Sequence, residues 1–201
     1  MDTFDAIYQR RAVKQYDPEH VMPEADIDTL MAAAAQSPTS FNMQNWRFVL
    51  VRDPAIRQAI RDAAMNQAQI TDASLLVVLT ADLNAWAKEP MRYWRDAPPA
   101  AAEMLVGWMG PFYDGKAQLQ RDEAMRSCGI AGQTLMLAAK AMGYDSCPMI
   151  GFDFDKVAEL IRLPDDHTIG FIIVIGKAAA PAWGKPGQLA LDEVVVTDRF
   201  E

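Results

Sequence analysis

Cysteine and histidine are scarce in this 201-residue sequence, two of each, and neither type forms a pair at metal-ligand spacing. No metal site is therefore expected. Cys128 and Cys147 read as small buried hydrophobes in a reducing compartment rather than a disulfide framework, although spacing alone leaves a bridge open. No Gly-x-Gly-x-x-Gly, phosphate-loop or Gly-x-Ser-x-Gly pattern occurs. That absence argues against a Rossmann dinucleotide site, a nucleoside triphosphatase and a serine-hydrolase elbow. His167, in Pro164-Asp165-Asp166-His167, reads as a solvated turn residue before a strand, not as a triad base. The longest apolar runs, around Leu75–Leu79 and Phe171–Ile175, fall far short of the ~20 residues that span a bilayer. The acidic start, Met1-Asp2-Thr3-Phe4-Asp5, has no apolar signal core, so a cytoplasmic protein without membrane association is expected. Positive charge is also in deficit: 19 Lys+Arg against 27 Asp+Glu give a net charge of −8. The basic run Arg10-Arg11-Ala12-Val13-Lys14 is too isolated in such a chain to form a nucleic-acid surface.

What is present suits a soluble globular chain, with 51% apolar and 23% charged residues. No repeat or low-complexity segment interrupts it, and residues 1–201 read as one domain. Asp2 caps a first helix over Thr3–Arg10, and Pro23-Glu24 opens a second that Ser37-Pro38 stops. Trp46–Val51 reads as a strand, and Asp53-Pro54 starts a third helix running to about Asn66. Ser74–Thr80 and Thr168–Ile175 are continuous apolar runs typical of buried strands. Asp153 caps a helix over Phe154–Ile161, the Pro/Gly-rich stretch Ala178–Gln188 is an extended linker, and Glu193–Val196 reads as a last short strand. Helices and strands intermix without regular alternation, which predicts an α+β fold.

Two segments stand apart. Asp82–Gln118 is full of breakers and holds six of the 18 aromatic residues, which suits either a lid-like excursion over a binding site or a loop with its own small core. Arg121–Met142 carries the strongest helical pattern, ended by Gly143, with apolar residues on every face. Burial nearly all round is expected. Gly129 and Gly132 each cost about 1 kcal/mol relative to Ala in a helix interior, which close approach of another backbone would offset.

No nucleophile or ligand set supplies chemistry, so any redox or transfer reaction must come from a cofactor. An acidic protein that binds an anionic cofactor needs a local cationic pocket, and Arg10, Arg11 and Lys14 are the obvious cluster. The same three residues equally suit a helix C-terminus, where the dipole favours cations.

Read together, Arg10-Arg11-Ala12-Val13-Lys14-Gln15-Tyr16 and Ser37-Pro38-Thr39-Ser40-Phe41-Asn42-Met43-Gln44-Asn45-Trp46-Arg47-Phe48 resemble the two opening signatures of the FMN-dependent nitroreductase family. Asn66 ahead of Leu75–Leu79, then Pro148-Met149-Ile150-Gly151-Phe152-Asp153, then Gly187-Gln188-Leu189 before Asp192-Glu193-Val194, follow in the family's order over essentially the whole chain. The resemblance implies an α+β fold, a mixed sheet flanked by helices. It also implies an intertwined homodimer with a long central interface helix and a C-terminal arm, here 178–201, wrapped on the partner. Two FMN would lie between the subunits, with NADH or NADPH as electron donor.

By position, the resemblance places Arg10, Arg11, Ala12 and Lys14 near the flavin phosphate and ring system, with Lys185 as a further phosphate ligand. It places Pro38, Thr39, Ser40, Asn42 and Gln44 of the other subunit at the ring edge and ribityl chain. Asn66 and Gln69 would meet the pyrimidine side, Pro148 and Met149 one ring face, and the backbone at Ile150 and Gly151 the reactive N5 edge. No side chain is expected to act as acid or base. The implied reaction is ping-pong hydride transfer from NAD(P)H through flavin N5 to a nitroaromatic, quinone or activated alkene. Reductive dehalogenation, flavin breakdown and non-catalytic flavin binding are the alternatives. Several positions depart from the family pattern. Ala12 stands where a hydroxyl residue is common, Asn45 where Pro is frequent, Gln69 where some members have a base and Ile150 where some have an acid; Lys185 needs a register shift.

Overall fold

Strand β2 (Leu75–Asp82) is the keel of the molecule, with all eight residues buried. The computed structural model describes residues 1–200, and β2 lies at the centre of a four-stranded sheet ordered β1-β2-β4-β3. The other strands are β1 (Trp46–Leu50), β3 (Asp145–Met149) and β4 (His167–Gly176). All three strand pairings are antiparallel, so among the described residues the parallel element of the expected mixed sheet is only the bridge Ala12–Ser146.

Successive side chains of a strand point to opposite faces, and both faces are covered. Leu75, Val77, Leu79 and Ala81 pack with Ile173 and Ile175 against α2 (Glu24–Ala34) and α6 (Ala117–Ala141). Leu76 and Val78 pack with Ile172, Val174 and Cys147 against α3 (Pro54–Ala63), α4 (Gln69–Asp72) and α7 (Phe154–Leu160). Two-sided burial explains why these strands read as unbroken apolar runs rather than alternating ones. Both cysteines are free and buried.

Most predicted boundaries hold within a few residues. Helix α1 is Thr3–Gln9, capped by Asp2, and Gly143 follows α6 with φ +78. Other expectations are corrected. Helix α3 stops at Ala63 instead of Asn66, because Met65 and Asn66 adopt left-handed φ values of 53° and 54°. The 82–118 stretch has the small core of its own. Two 3-10 turns, Ala85–Ala87 and Pro90–Trp94, lead to α5 (Pro99–Tyr113), and Ala85, Met109 and Tyr113 bury against Met43. Pro98-Pro99 opens α5, a proline at the first helical position being tolerated. Residues 193–194 fall in a short helix, α8 (Leu191–Val194), not a strand, since a lone segment has no strand to pair with. The burial expected all round α6 is one-sided: Gly129, Ile130 and Gln133 are exposed because this chain offers nothing to cover them. His167 is half-buried at the start of β4, its Nδ1 2.7 Å from Asp166 Oδ1, rather than solvated. No helix among the described residues is long and apolar enough to cross a membrane.

Candidate functional site

The sequence-predicted residues form two groups, one at each edge strand. At the β3 edge, residues 10–16 run alongside the strand: Ala12 bridges Ser146, and Val13 N donates to Ser146 O at 3.2 Å. The basic trio divides here. Arg11 Nη1 donates to Tyr8 O at 2.6 Å and Arg10 O at 2.8 Å, so it serves the C-terminus of α1. Arg10 Nη1 is buried without a partner, and Lys14 Nζ meets only a thiol, Cys147 Sγ at 3.2 Å. Ser146 Oγ and Tyr16 OH, close by, are also buried without partners, and burial drives the Tyr16 phenol pKa far up. A cleft of about 300 Å³ opens between Ala12, Lys14, Gln15 and Ala180–Trp183. Lys185 lies two residues past Trp183, exposed.

The end of β3 is tied to residues 65–69. Gln69, 5% exposed, donates from Nε2 to Gln67 Oε1 at 3.0 Å, and Gln67 Nε2 donates to Gly151 O at 3.0 Å. A Cβ at Gly151 would come within 2.8 Å of the Met65 methyl, the movable end of an exposed side chain. Asn66 is exposed and its Oδ1 accepts from Arg61 Nε at 2.8 Å. Met149, an inward residue of β3, is 5% exposed and packed in the core, whereas Pro148 and Ile150 present their side chains outward. Gln67 carries no signal in the sequence, because a glutamine between Asn66 and Ala68 belongs to no pattern of its own.

At the β1 edge, Thr39–Gln44 forms a strained turn. Phe41, Asn42 and Gln44 have φ of 50°, 51° and 42°, a region that costs non-glycine residues of order 1 kcal/mol each. Side chains over-determine it: Gln44 N donates to Thr39 Oγ1, Tyr113 OH to Ser40 Oγ, and Asn42 Nδ2 to Tyr93 O, each at 2.8 Å. Pro38 is exposed, whereas Ser37 Oγ and Asn45 Oδ1 nearby are buried without partners.

Topology separates the two groups. β1 and β3 are opposite edges of the sheet, three strand spacings or about 14 Å apart. Trp46 pairs with Ala81 of β2, whose partner in β4 is Thr168, and β3 runs toward that end only from Asp145 to Met149, while the Ala12–Ser146 bridge lies level with Ile175 nearer the other end. One chain thus presents two half-sites facing different directions rather than one closed pocket. The first half offers donors suited to an anionic group: a buried guanidinium nitrogen lacks an acceptor, and the lysine beside it meets only a thiol. Such a donor set matches phosphate oxygens.

Comparison with known proteins gives a consistent answer. The sequence profile described as the Nitroreductase family matches residues 7–177. Protein DrgA of Synechocystis sp. is 58% identical over 200 residues, covering 97% of this chain and 95% of that protein. A Thermus thermophilus protein named NADH dehydrogenase is 31% identical over 98% of this chain and 96% of its own. Among solved structures, a Staphylococcus epidermidis protein provisionally named an NAD(P)H:FMN oxidoreductase superimposes with a TM-score of 0.91. It is 27% identical, over 97% of this chain and 95% of that one.

Proposed function

The chain belongs to the nitroreductase family, and from that premise we propose an FMN-dependent NAD(P)H oxidoreductase. It acts as a homodimer and reduces a nitroaromatic, quinone or activated-alkene acceptor. The observation that carries this reading is Arg10, whose Nη1 is buried with no acceptor. Burying a charged donor unpaired is unfavourable unless a ligand completes it, and a phosphate does so. The chemistry FMN supplies when bound is two-electron transfer from a nicotinamide donor to an oxidised acceptor.

The chain's own work is holding and shielding. Arg10 and Lys14 bind the phosphate, with Lys185 and the backbone around Ala12 beside them. Gln69, held by Gln67, and Asn66 offer amide groups to the polar ring edge. Pro148 covers one face, while the N–H groups at Ile150 and Gly151 supply donors where negative charge develops on reduction. The strained Thr39–Gln44 turn, pre-formed by Tyr113 and Tyr93, comes from the second subunit and closes the pocket against water. No side chain of this set exchanges a proton with the acceptor.

Purified protein is expected to show flavin absorbance that NADH or NADPH bleaches anaerobically. Arg10→Gln should weaken FMN binding at least tenfold, which a flavin titration measures. A colourless protein that takes up no added FMN would refute the proposal.

A further inference from the structure

A second cationic feature lies outside the flavin-binding set. Where β1 begins, a cleft of about 380 Å³ opens toward the 3-10 turn Pro90–Trp94, and Arg47, Arg92 and Arg95 line it with Asn42, Gln44 and Trp46. Arg47 is fixed: its Nη1 donates to Gln44 O and Trp46 O, both at 2.8 Å, and its Nη2 stands 3.9 Å from the buried Asp82 carboxylate. Arg92 lies 4.8 Å from the Tyr93 ring centroid and donates from Nη2 to Tyr93 OH at 2.8 Å. Arg95 has an ion pair only with the adjacent Asp96, at 3.6 Å, and both side chains are at least 80% exposed. Water screens such a pair to little effect. Trp46 is 8% exposed, and its Nε1 hydrogen is buried without an acceptor. Three guanidiniums and two amides thus line a cleft whose only lining carboxylate is Asp96, with the buried Asp82 behind Arg47, in a chain whose net charge is −8. Such local reversal of sign focuses the field on an anion.

We propose that this cleft is an anion subsite for one of the two reactants, taking a phosphate monoester or carboxylate group. This rests on the redox reading above, because Asn42 and Gln44 belong both to the cleft and to the turn that closes the flavin pocket. The guanidinium fork suits either group bidentately. Two sources carry that chemistry: the 2′-phosphate that distinguishes NADPH from NADH, and an acidic substituent on the acceptor. The arginines sit in the 82–118 excursion and at the start of β1, so they set reactant preference without touching the flavin phosphate.

The double variant Arg92→Gln/Arg95→Gln separates the sources, since both side chains are exposed and can be exchanged without disturbing the core. Steady-state rates are compared for NADPH against NADH, with 1,4-benzoquinone as acceptor. They are then compared for 4-nitrobenzoate against 4-nitrobenzyl alcohol. The KM of one charged member should rise tenfold or more, while its uncharged counterpart and kcat stay within twofold. A rise for NADPH assigns the subsite to the 2′-phosphate, and a rise for 4-nitrobenzoate assigns it to the acceptor. Arg162→Gln, an exposed arginine outside the cleft, controls for net charge and should change neither pair. Unchanged KM values for both pairs would overturn the proposal. So would loss of bound FMN from the double variant, which would assign the arginines to the cofactor. If the wild-type protein takes up no FMN and turns nothing over, the redox reading fails instead. Calorimetric titration with adenosine 2′,5′-bisphosphate and 4-nitrobenzoate then decides the subsite alone: weaker binding of either to the double variant supports it, and equal binding of both sinks it.

Discussion

Gly132 and Gly129 lie about one turn apart on α6, yet a methyl group added at the first would run into the Phe171 ring, whereas one added at the second would meet nothing within 4 Å. The contrast extends along the helix. Its inner face, with Cys128, Ala131 and Leu135, is buried against the sheet, and Gly170 of β4 comes so close that a Cβ there would lie 2.7 Å from Cys128 Cβ. Its outer face leaves Ile130 44% exposed. Other uncovered apolar groups include Phe4 and Tyr8 of α1, at 70% and 69%, and the tail, where Trp183 is 93% and Phe200 85% exposed. What one chain can close is closed, and part of what remains open lies on α6 and the tail, the two elements that the resemblance assigns to a second copy. Exposed apolar surface on this scale marks an interaction face.

The largest effect should follow from disturbing the closed side. Gly132→Ala forces the half-buried Phe171 ring to move and should lower unfolding free energy by about 1–3 kcal/mol, read from the urea midpoint at constant slope. Gly129→Ala should have the opposite sign in an isolated chain, a gain of up to ~1 kcal/mol from helix propensity. If a partner backbone approaches there, the same methyl weakens association, and sedimentation velocity at several concentrations separates the two effects. Deleting residues 183–200 should leave the core's unfolding transition in place while weakening self-association at least tenfold. Equal association with and without the tail would remove it from the interface.

The closed side was also the legible side. Ser74–Thr80 and Thr168–Ile175 announce themselves because two-sided burial requires uninterrupted apolar residues. Asp53-Pro54 and Asp153 mark helix starts because capping is local chemistry. The 82–118 excursion hid α5, since Gly107, Gly110 and Pro111 mask a helix held by tertiary contacts among Met43, Met109 and Tyr113. Strand β3 was illegible for a related reason: Asp145-Ser146-Cys147-Pro148-Met149 has little strand propensity and is a strand only because β4 lies beside it. In the site, residue types at the β3 edge pointed to an anion pocket, but which basic residue was free depended on a contact no pattern encodes. Arg11 turns back onto the carbonyls of α1, leaving Arg10 and Lys14 available. The glycine pair taught the same thing, two identical letters having unrelated causes.

The smallest expected effect lies where inside meets outside, at the end of β2. Asp82, 3% exposed, is joined through Lys88 to Asp166, which is 32% exposed; Lys88 Nζ lies 2.8 Å from Asp82 Oδ2 and 2.5 Å from Asp166 Oδ2. Hydrogen bonds from Lys88 and then His167 hold the Asp166 carboxyl below its ordinary pKa. Burial alone would lower Lys88, but its hydrogen bonds to Asp166 and Asp82 outweigh that and raise it. A depressed carboxyl stabilises the fold above its unfolded pKa of about 4, and the contribution disappears as pH falls through the lower folded value. A raised ammonium contributes below its unfolded pKa and is lost only as pH rises through the higher folded one, so the neutral range is flat. Asp166→Asn should therefore cost no more than ~1 kcal/mol at pH 7, given the exposure of this carboxyl, and the difference from wild type should shrink as pH falls below about 4. Urea unfolding of both proteins from pH 7 to pH 3 measures it. A difference that persists unchanged at pH 3 would mean that Asp166 acts through packing rather than charge, and that the boundary between the two sides of the molecule is not electrostatic there.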